Sequence, residues 1–197
     1  MEPTIYKPSI YKGAGIYKAG SGGGGGGGGD GIYRVTIDGR VYPVTRITGD
    51  GYDKYWTCVN LYCTTGMTAD THYKKNSSYH NFVYYNKNSL SLIRALLPDG
   101  WDILSVTDGQ KLTEIYGATR FPYMNLIEDG TNTTGLDLCF AGQYSNYYSS
   151  WRYAGTNGAI PLTNDYSKIL SYDNAVCYVT DNGNRNDFFP LRVCKDV

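Results

Sequence analysis

The stretch from Gln143 to Asn186 carries the side chains best suited to chemistry, and that chemistry is recognition rather than bond making. Of its 44 residues, seven are Tyr, seven Asn, five Ser and three Asp, so four residue types fill half of it, whereas Lys occurs once. A tyrosine presents a broad apolar ring with a polar tip on only two torsions, and Ser, Asn and Gly adapt their hydrogen bonds. Long Lys and Glu side chains lose more rotamer freedom when held. Binding surfaces converge on this palette for that reason. The candidate ligand-binding residues are Tyr144, Asn146, Tyr147, Tyr148, Trp151, Arg152, Tyr153, Tyr166, Tyr172, Asn182, Asn184 and Arg185. Tyr and Trp would supply flat contact area, Arg a forked donor, and Asn a paired donor and acceptor. The competing reading, in which these residues merely build short strands and turns, fits poorly with Tyr147-Tyr148 and Asn184-Arg185-Asn186, which are not core-like.

Signals for catalysis are weak by comparison. There is no Gly-x-Ser-x-Gly, no His-Glu-x-x-His and no convincing nucleophile, histidine and acid set. Acidic residues are scattered singly, which leaves paired-carboxylate hydrolysis without support. Cys58 and Cys63 stand at C-x4-C spacing with His72 and His80 downstream, but a zinc site of that kind wants tighter ligand pairs. Cys139, Cys177 and Cys194 lie in strand-like contexts and read as small buried apolar groups. The expectation is a chain that is not an enzyme and needs no metal or cofactor.

Eighteen basic residues balance eighteen acidic ones, and charged residues make up 18% of the 197. Zero net charge argues against a nucleic-acid partner, which would favour a basic face. No window approaches the roughly 20 apolar residues of a membrane span, so no membrane insertion is expected. The opening Met1-Glu2-Pro3-Thr4-Ile5-Tyr6-Lys7-Pro8 has no apolar core for export, which predicts assembly in the cytoplasm and reduced cysteines.

Three regions must position these residues. Residues 1–21 repeat Ile-Tyr-Lys at Ile5, Ile10 and Ile16 and read as an anchoring peptide, its β-prone pairs suited to adding strands to a partner's sheet edge, with a disordered tail as the alternative. Residues 22–30, with glycine from Gly22 to Gly29, read as a flexible linker spanning roughly 16 Å as a free coil. Residues 31–197 read as one α+β domain. Tyr33–Ile37 and Arg40–Val44 flank Asp38-Gly39, a strong hairpin signal. Trp56–Leu61, Leu136–Phe140, Ala175–Thr180 and Phe189–Val193 read as short strands, with Phe189, Leu191 and Val193 lining an inner face. The last strand is expected to return near the first. Ser89–Leu97 has helical spacing and stops before Pro98-Asp99-Gly100. A second helix is expected over Gly109–Tyr116, capped by Thr107 or Asp108 and ended by Gly117. Trp101, following that turn, reads as a core ring.

Several pieces in order resemble the Fibrobacter succinogenes major paralogous domain, a bacterial branch of the C-type-lectin-like fold. They are Ile37–Tyr42 with Trp56–Leu61; Leu97–Leu104 with Thr107-Asp108; Thr134–Leu138 with Ala141–Tyr144; and the ending Phe189–Asp196. Together they spread over most of residues 35–197. The sequence departs from the family where a Trp-Trp-Ser-Ser motif is reduced to Ser149-Ser150-Trp151, and where Glu-Trp is replaced by Gln110-Lys111. The resemblance implies a C-type-lectin-like fold of two short helices, short antiparallel strands and long loops. The calcium-ligand motifs of sugar-binding lectins are absent, and so is the cysteine signature of the formylglycine-generating enzymes, which use a related fold.

The stretch 143–186 also resembles the variable region of proteins diversified by retroelements, whose adenine-directed mutagenesis yields Asn, Tyr, Ser and Asp. The implied function is a non-catalytic receptor-binding protein, such as a phage tail-tip or tail-fibre adhesin in the virion. It would recognise a bacterial surface glycan or outer-membrane protein and dock to a tail or other carrier protein through the N-terminal peptide, with a homotrimer left open. A bacterial cell-surface adhesin of the same fold and a structural virion or assembly protein are the alternatives.

Overall fold

The computed structural model describes residues 34–77, 82–116, 138, 140–172 and 177–197. The anchoring peptide 1–21, the glycine linker 22–30 and the start of the domain assigned to 31–197 lie outside the described residues. So do His80, Gly117, Cys139, Ala175 and most of the expected strand Leu136–Phe140. The described chain is mixed, mostly antiparallel strands with two short helices.

β1 (Arg34–Ile37) and β2 (Arg40–Gly49) form the expected hairpin. Its two-residue turn places Asp38 at φ 51° and Gly39 at φ 71°, the pair of positive angles that matches the right-handed twist of the strands. β3 (Tyr52–Thr57) starts earlier than Trp56 and stops at Thr57, because it pairs with β2 from Gly49↔Tyr52 to Val44↔Thr57. Beyond it the backbone bonds elsewhere, Leu61 N–H donating to Leu191 O at 2.8 Å. β4 (Tyr73–Asn76) pairs with β5 (Phe82–Tyr85).

The first helical segment is shorter than its apolar pattern suggested. A 3-10 turn over Lys87–Ser89, capped by the Asn86 side chain, leads into α1 (Leu90–Arg94). Leu96 and Leu97 then donate three residues back, to Ile93 O and Arg94 O. That tightening before Pro98 is how a chain leaves a helix ahead of a residue that disfavours it.

β6 (Trp101–Ile103) precedes α2 (Val106–Tyr116). This helix begins before the expected Gly109, because Ser105 rather than Thr107 or Asp108 is its cap. Ser105 N–H and Oγ donate to Asp108 Oδ2 at 2.7 and 2.6 Å, and Asp108 N–H donates back to Ser105 Oγ at 3.2 Å. The arrangement is a capping box with aspartate in the third helical position. Asp108, 2% exposed, also receives the Tyr52 hydroxyl at 3.0 Å and lies 3.0 Å from Lys54 Nζ. Trp56 Nε1 donates in turn to the Tyr52 hydroxyl at 2.8 Å, so one buried carboxylate ties α2 to β3. Burial pushes this carboxyl up, but the Ser105 hydrogen bonds and the Lys54 charge outweigh it and hold Asp108 below the usual carboxylate range.

The remaining strands are β7 (Gln143–Ser145), β8 (Ser150–Arg152), β9 (Gly158–Pro161), β10 (Lys168–Tyr172), β11 (Cys177–Asp181) and β12 (Val193–Asp196). The main sheet runs β1-β2-β3-β12-β6; a second runs β11-β10-β9; β4 with β5 and β7 with β8 form two-stranded sheets. β12 thus returns to the sheet that holds β1, but between β3 and β6 rather than beside it. Strand alternation sends side chains to both faces. Val35, Tyr42, Val44, Tyr55, Trp101, Ile103 and Val193 join one core cluster, with Trp101 buried as expected. Ile47, Tyr52, Trp56 and Cys194 join a second, with Leu112 of α2 and Leu170 of β10.

The final segment corrects a sequence expectation. Phe189, Leu191 and Val193 are all buried, yet the strand proper begins only at Val193, and Pro190 and Arg192 between them are buried too. Protein lies on both sides of this segment. Arg192, 0% exposed, donates to Asn60 Oδ1 at 2.7 Å and Thr57 O at 2.9 Å.

Candidate functional site

The site is built on the β7–β8 hairpin, whose register is Gln143↔Arg152, Tyr144↔Trp151 and Ser145↔Ser150. Alternation divides its side chains by role. Tyr144 and Trp151 are cross-strand partners with ring centroids 5.0 Å apart at a near-perpendicular angle. Both are half-buried. Trp151 packs on Tyr84 at 4.7 Å and Tyr144 on Phe188 at 6.0 Å, while Lys74 Nζ sits 4.4 Å from the Tyr144 ring centroid. These two rings seat the hairpin on the body, so their role is to hold the surface more than to form it.

The turn carries the surface itself. Tyr147 is 79% exposed, Tyr148 58% and Tyr153 53%. The Tyr147 and Tyr148 rings meet edge to face at 4.8 Å. Arg152 places its guanidinium carbon 4.5 Å from the Tyr148 ring centroid and 5.4 Å from that of Tyr153. Cation–π contact with two rings positions the fork of donors. Tyr147, Tyr148, Arg152 and Tyr153 therefore form one patch.

The framework beneath is rigid for stated reasons. The segment after Asn186 runs beside β7 like a third strand, with Tyr144 N–H donating to Phe188 O at 3.0 Å and Phe188 N–H to Tyr144 O at 2.9 Å. Asp187, 1% exposed, accepts Asn146 N–H on one oxygen and Gln143 Nε2 on the other, both at 2.9 Å. Burial raises its carboxyl above the usual value, against the pull of these hydrogen bonds. Asn146 Nδ2 donates to Asn186 O at 2.5 Å. At the far end Tyr153 has φ 63°, a costly conformation for a bulky residue, and its carbonyl accepts Thr156 N–H, Asn157 N–H and Thr156 Oγ1 at 3.0, 2.9 and 3.0 Å. Gly142, φ 66°, approaches so closely that a Cβ there would lie 2.2 Å from Arg152 O.

Asn182, Asn184 and Arg185 form a second loop that joins the hairpin through Asn186 and Asp187. Asn182 is an organiser: its Nδ2 donates to Tyr166 O at 2.9 Å and its Oδ1 accepts Asn184 N–H at 3.1 Å. Arg185 is exposed and pairs with Asp165 at 3.1 Å. The Asp165 carboxyl is held low first by its hydrogen bonds from Ser167 and also by this charge.

Two expected site residues are corrected. Tyr166 is 0% exposed, its hydroxyl donating to Tyr85 O at 3.0 Å and its ring packing on Phe189 at 5.5 Å. Tyr172 is 1% exposed at the end of β10, the central strand of its sheet, with its ring pressed against Gly158. Both are core residues, which composition alone does not distinguish from surface ones. Lys74, Gln143 and Asp187 were missed because they act through contacts distant in sequence.

The thiols offer no reactive centre among the described residues. Cys58, Cys63, Cys177 and Cys194 are buried, and burial pushes Cys63 up to about 11 and Cys177 to about 12. His72 Nδ1 accepts Thr68 N–H at 3.0 Å. Among the described residues no three His, Cys, Asp or Glu side chains converge as metal ligands, and no helix is long and apolar enough to cross a membrane. No family model, curated protein or solved structure matches this chain.

Proposed function

We propose that this chain is a non-catalytic receptor-binding protein, a C-type-lectin-like head on a glycine-linked anchoring peptide, serving as a phage tail-tip or tail-fibre adhesin for a bacterial surface receptor. The observation that carries the reading is the patch of Tyr147, Tyr148, Arg152 and Tyr153, displayed on a hairpin whose backbone and inner rings are fixed from beneath. Stiff aromatic rings already in position lose little freedom on binding, so more of the contact free energy appears as affinity. A virion with several copies would multiply a modest affinity through effective concentration. The lectin-like assignment is supported by a late strand returning between β3 and β6 of the opening sheet, and by helices of modest length.

The test is binding of the full chain to a panel of bacterial strains, set against the Tyr147→Ala/Tyr148→Ala variant. Binding to some strains, lost in the variant, is expected. Equal binding by both proteins, or binding to no strain, would overturn the reading. Sequencing of residues 143–186 in sibling isolates tests the retroelement component: adenine-directed differences should fall on exposed positions such as Tyr147, Tyr148 and Asn184 and spare buried Tyr166 and Tyr172.

A further inference from the structure

Arg152 is the one feature of the tyrosine patch that its neighbours leave with unmet chemistry. Arg46, Arg94 and Arg185 each hold a carboxylate, whereas Arg152 has no ion-pair partner among the described residues and contacts only the faces of Tyr148 and Tyr153. A guanidinium presents five N–H donors at its edge, and contact with ring faces does not use them. No Asp or Glu occurs from Gln143 to Tyr153, and the nearby Asp187 is buried with both oxygens committed to the hairpin. The patch is therefore a fixed cation between aromatic rings with no acid of its own.

Its size limits the occupant. A tyrosine offers about 200 Å² when covered, so rings exposed by 79, 58 and 53% present about 400 Å², half of the roughly 800 Å² that each partner commits to a standard protein interface. That area suits one or two pyranose rings, whose C–H faces lie favourably on an electron-rich ring face such as that of Tyr147, the more exposed of the pair.

Resting on the reading of this hairpin as a binding surface, we propose that it recognises a saccharide bearing a carboxylate, with Arg152 gripping the carboxylate through paired N–H donors and the mutually perpendicular rings of Tyr147 and Tyr148 flanking the sugar. Bidentate Arg–carboxylate contact is stronger and more directional than a neutral hydrogen bond. Lysine, a point charge without the fork, is an imperfect substitute.

The experiment is calorimetric titration of the full chain with a galacturonate trimer, a hyaluronan tetrasaccharide and a sialic-acid trimer, each beside its carboxyl-reduced form, and with a glutamate-rich peptide. At least one carboxylated saccharide should bind about tenfold or more tightly than its reduced form. Arg152→Gln should erase that ratio and Arg152→Lys should keep part of it, with melting temperatures unchanged. Equal affinity within every pair, no binding by any saccharide, a ratio that survives Arg152→Gln, or a peptide that binds as tightly as the saccharides would overturn the proposal. The strain-binding assay is read separately: if Tyr147→Ala/Tyr148→Ala abolishes cell binding while carboxylates prove irrelevant, the surface assignment stands and this inference alone is lost.

Discussion

Asp108→Asn isolates the contribution of one buried charge to this fold. The substitution preserves shape but removes the ion pair with Lys54 at 3.0 Å and weakens the capping box with Ser105. Removing one partner of a buried ion pair typically costs about 3–5 kcal/mol. Lys54, however, is 24% exposed and has Asp196 at 3.3 Å as a second partner, so its charge is not stranded. The expected loss is therefore about 2–3 kcal/mol at pH 7, or about 4–12 °C in melting temperature for a domain of this size. The sign of its pH dependence follows from linkage. Asp108 titrates lower in the folded chain than in the unfolded one, so its stabilisation is complete above the unfolded value near 3.9 and is lost as pH falls towards the folded value. Urea unfolding of both proteins between pH 7 and pH 3 measures the difference directly, because the other carboxylates cancel. The gap should narrow below about pH 4. A gap under about 0.5 kcal/mol at neutral pH, or one that widens in acid, would refute the reasoning.

Gly142→Ala should destabilise by about 3 kcal/mol, since it combines a left-handed residue with a contact of 2.2 Å to the backbone of β8 that no side-chain rotation relieves; chemical denaturation checks it. Tyr147→Ala/Tyr148→Ala should change stability by less than about 1 kcal/mol by the same measurement, because both rings are exposed. Cys63, Cys177 and Cys194 should resist iodoacetamide at pH 8 in the native protein and react once it is unfolded; mass spectrometry of the alkylated chain reads the outcome, and labelling of native Cys63 would contradict its complete burial.

What the sequence by itself determined is whatever depends on neighbours along the chain. Asp38-Gly39 dictated the first hairpin because only residues tolerant of positive φ complete that turn. Pro98-Asp99-Gly100 bounded the first helical segment, and Trp101 was legible as a core ring. The clustering of Tyr, Asn and Ser after Gln143 marked the stretch 143–186, within which Tyr147, Tyr148 and Tyr153 stand exposed.

What only the tertiary structure decided is which tyrosines are surface and which are core. Tyr166 and Tyr172 belong to the same compositional cluster as Tyr147, yet long-range packing against Phe189 and within the β9–β11 sheet withdraws them from water. The true start of α2 was hidden likewise, because Asp108 serves Tyr52 and Lys54 from β3 as well as its own helix. Asp187 joins Gln143 and Asn146 across more than forty residues, and no local pattern records such a partnership. Composition selects the kinds of side chain available. Which of them faces water is fixed only when distant segments compete to bury one another.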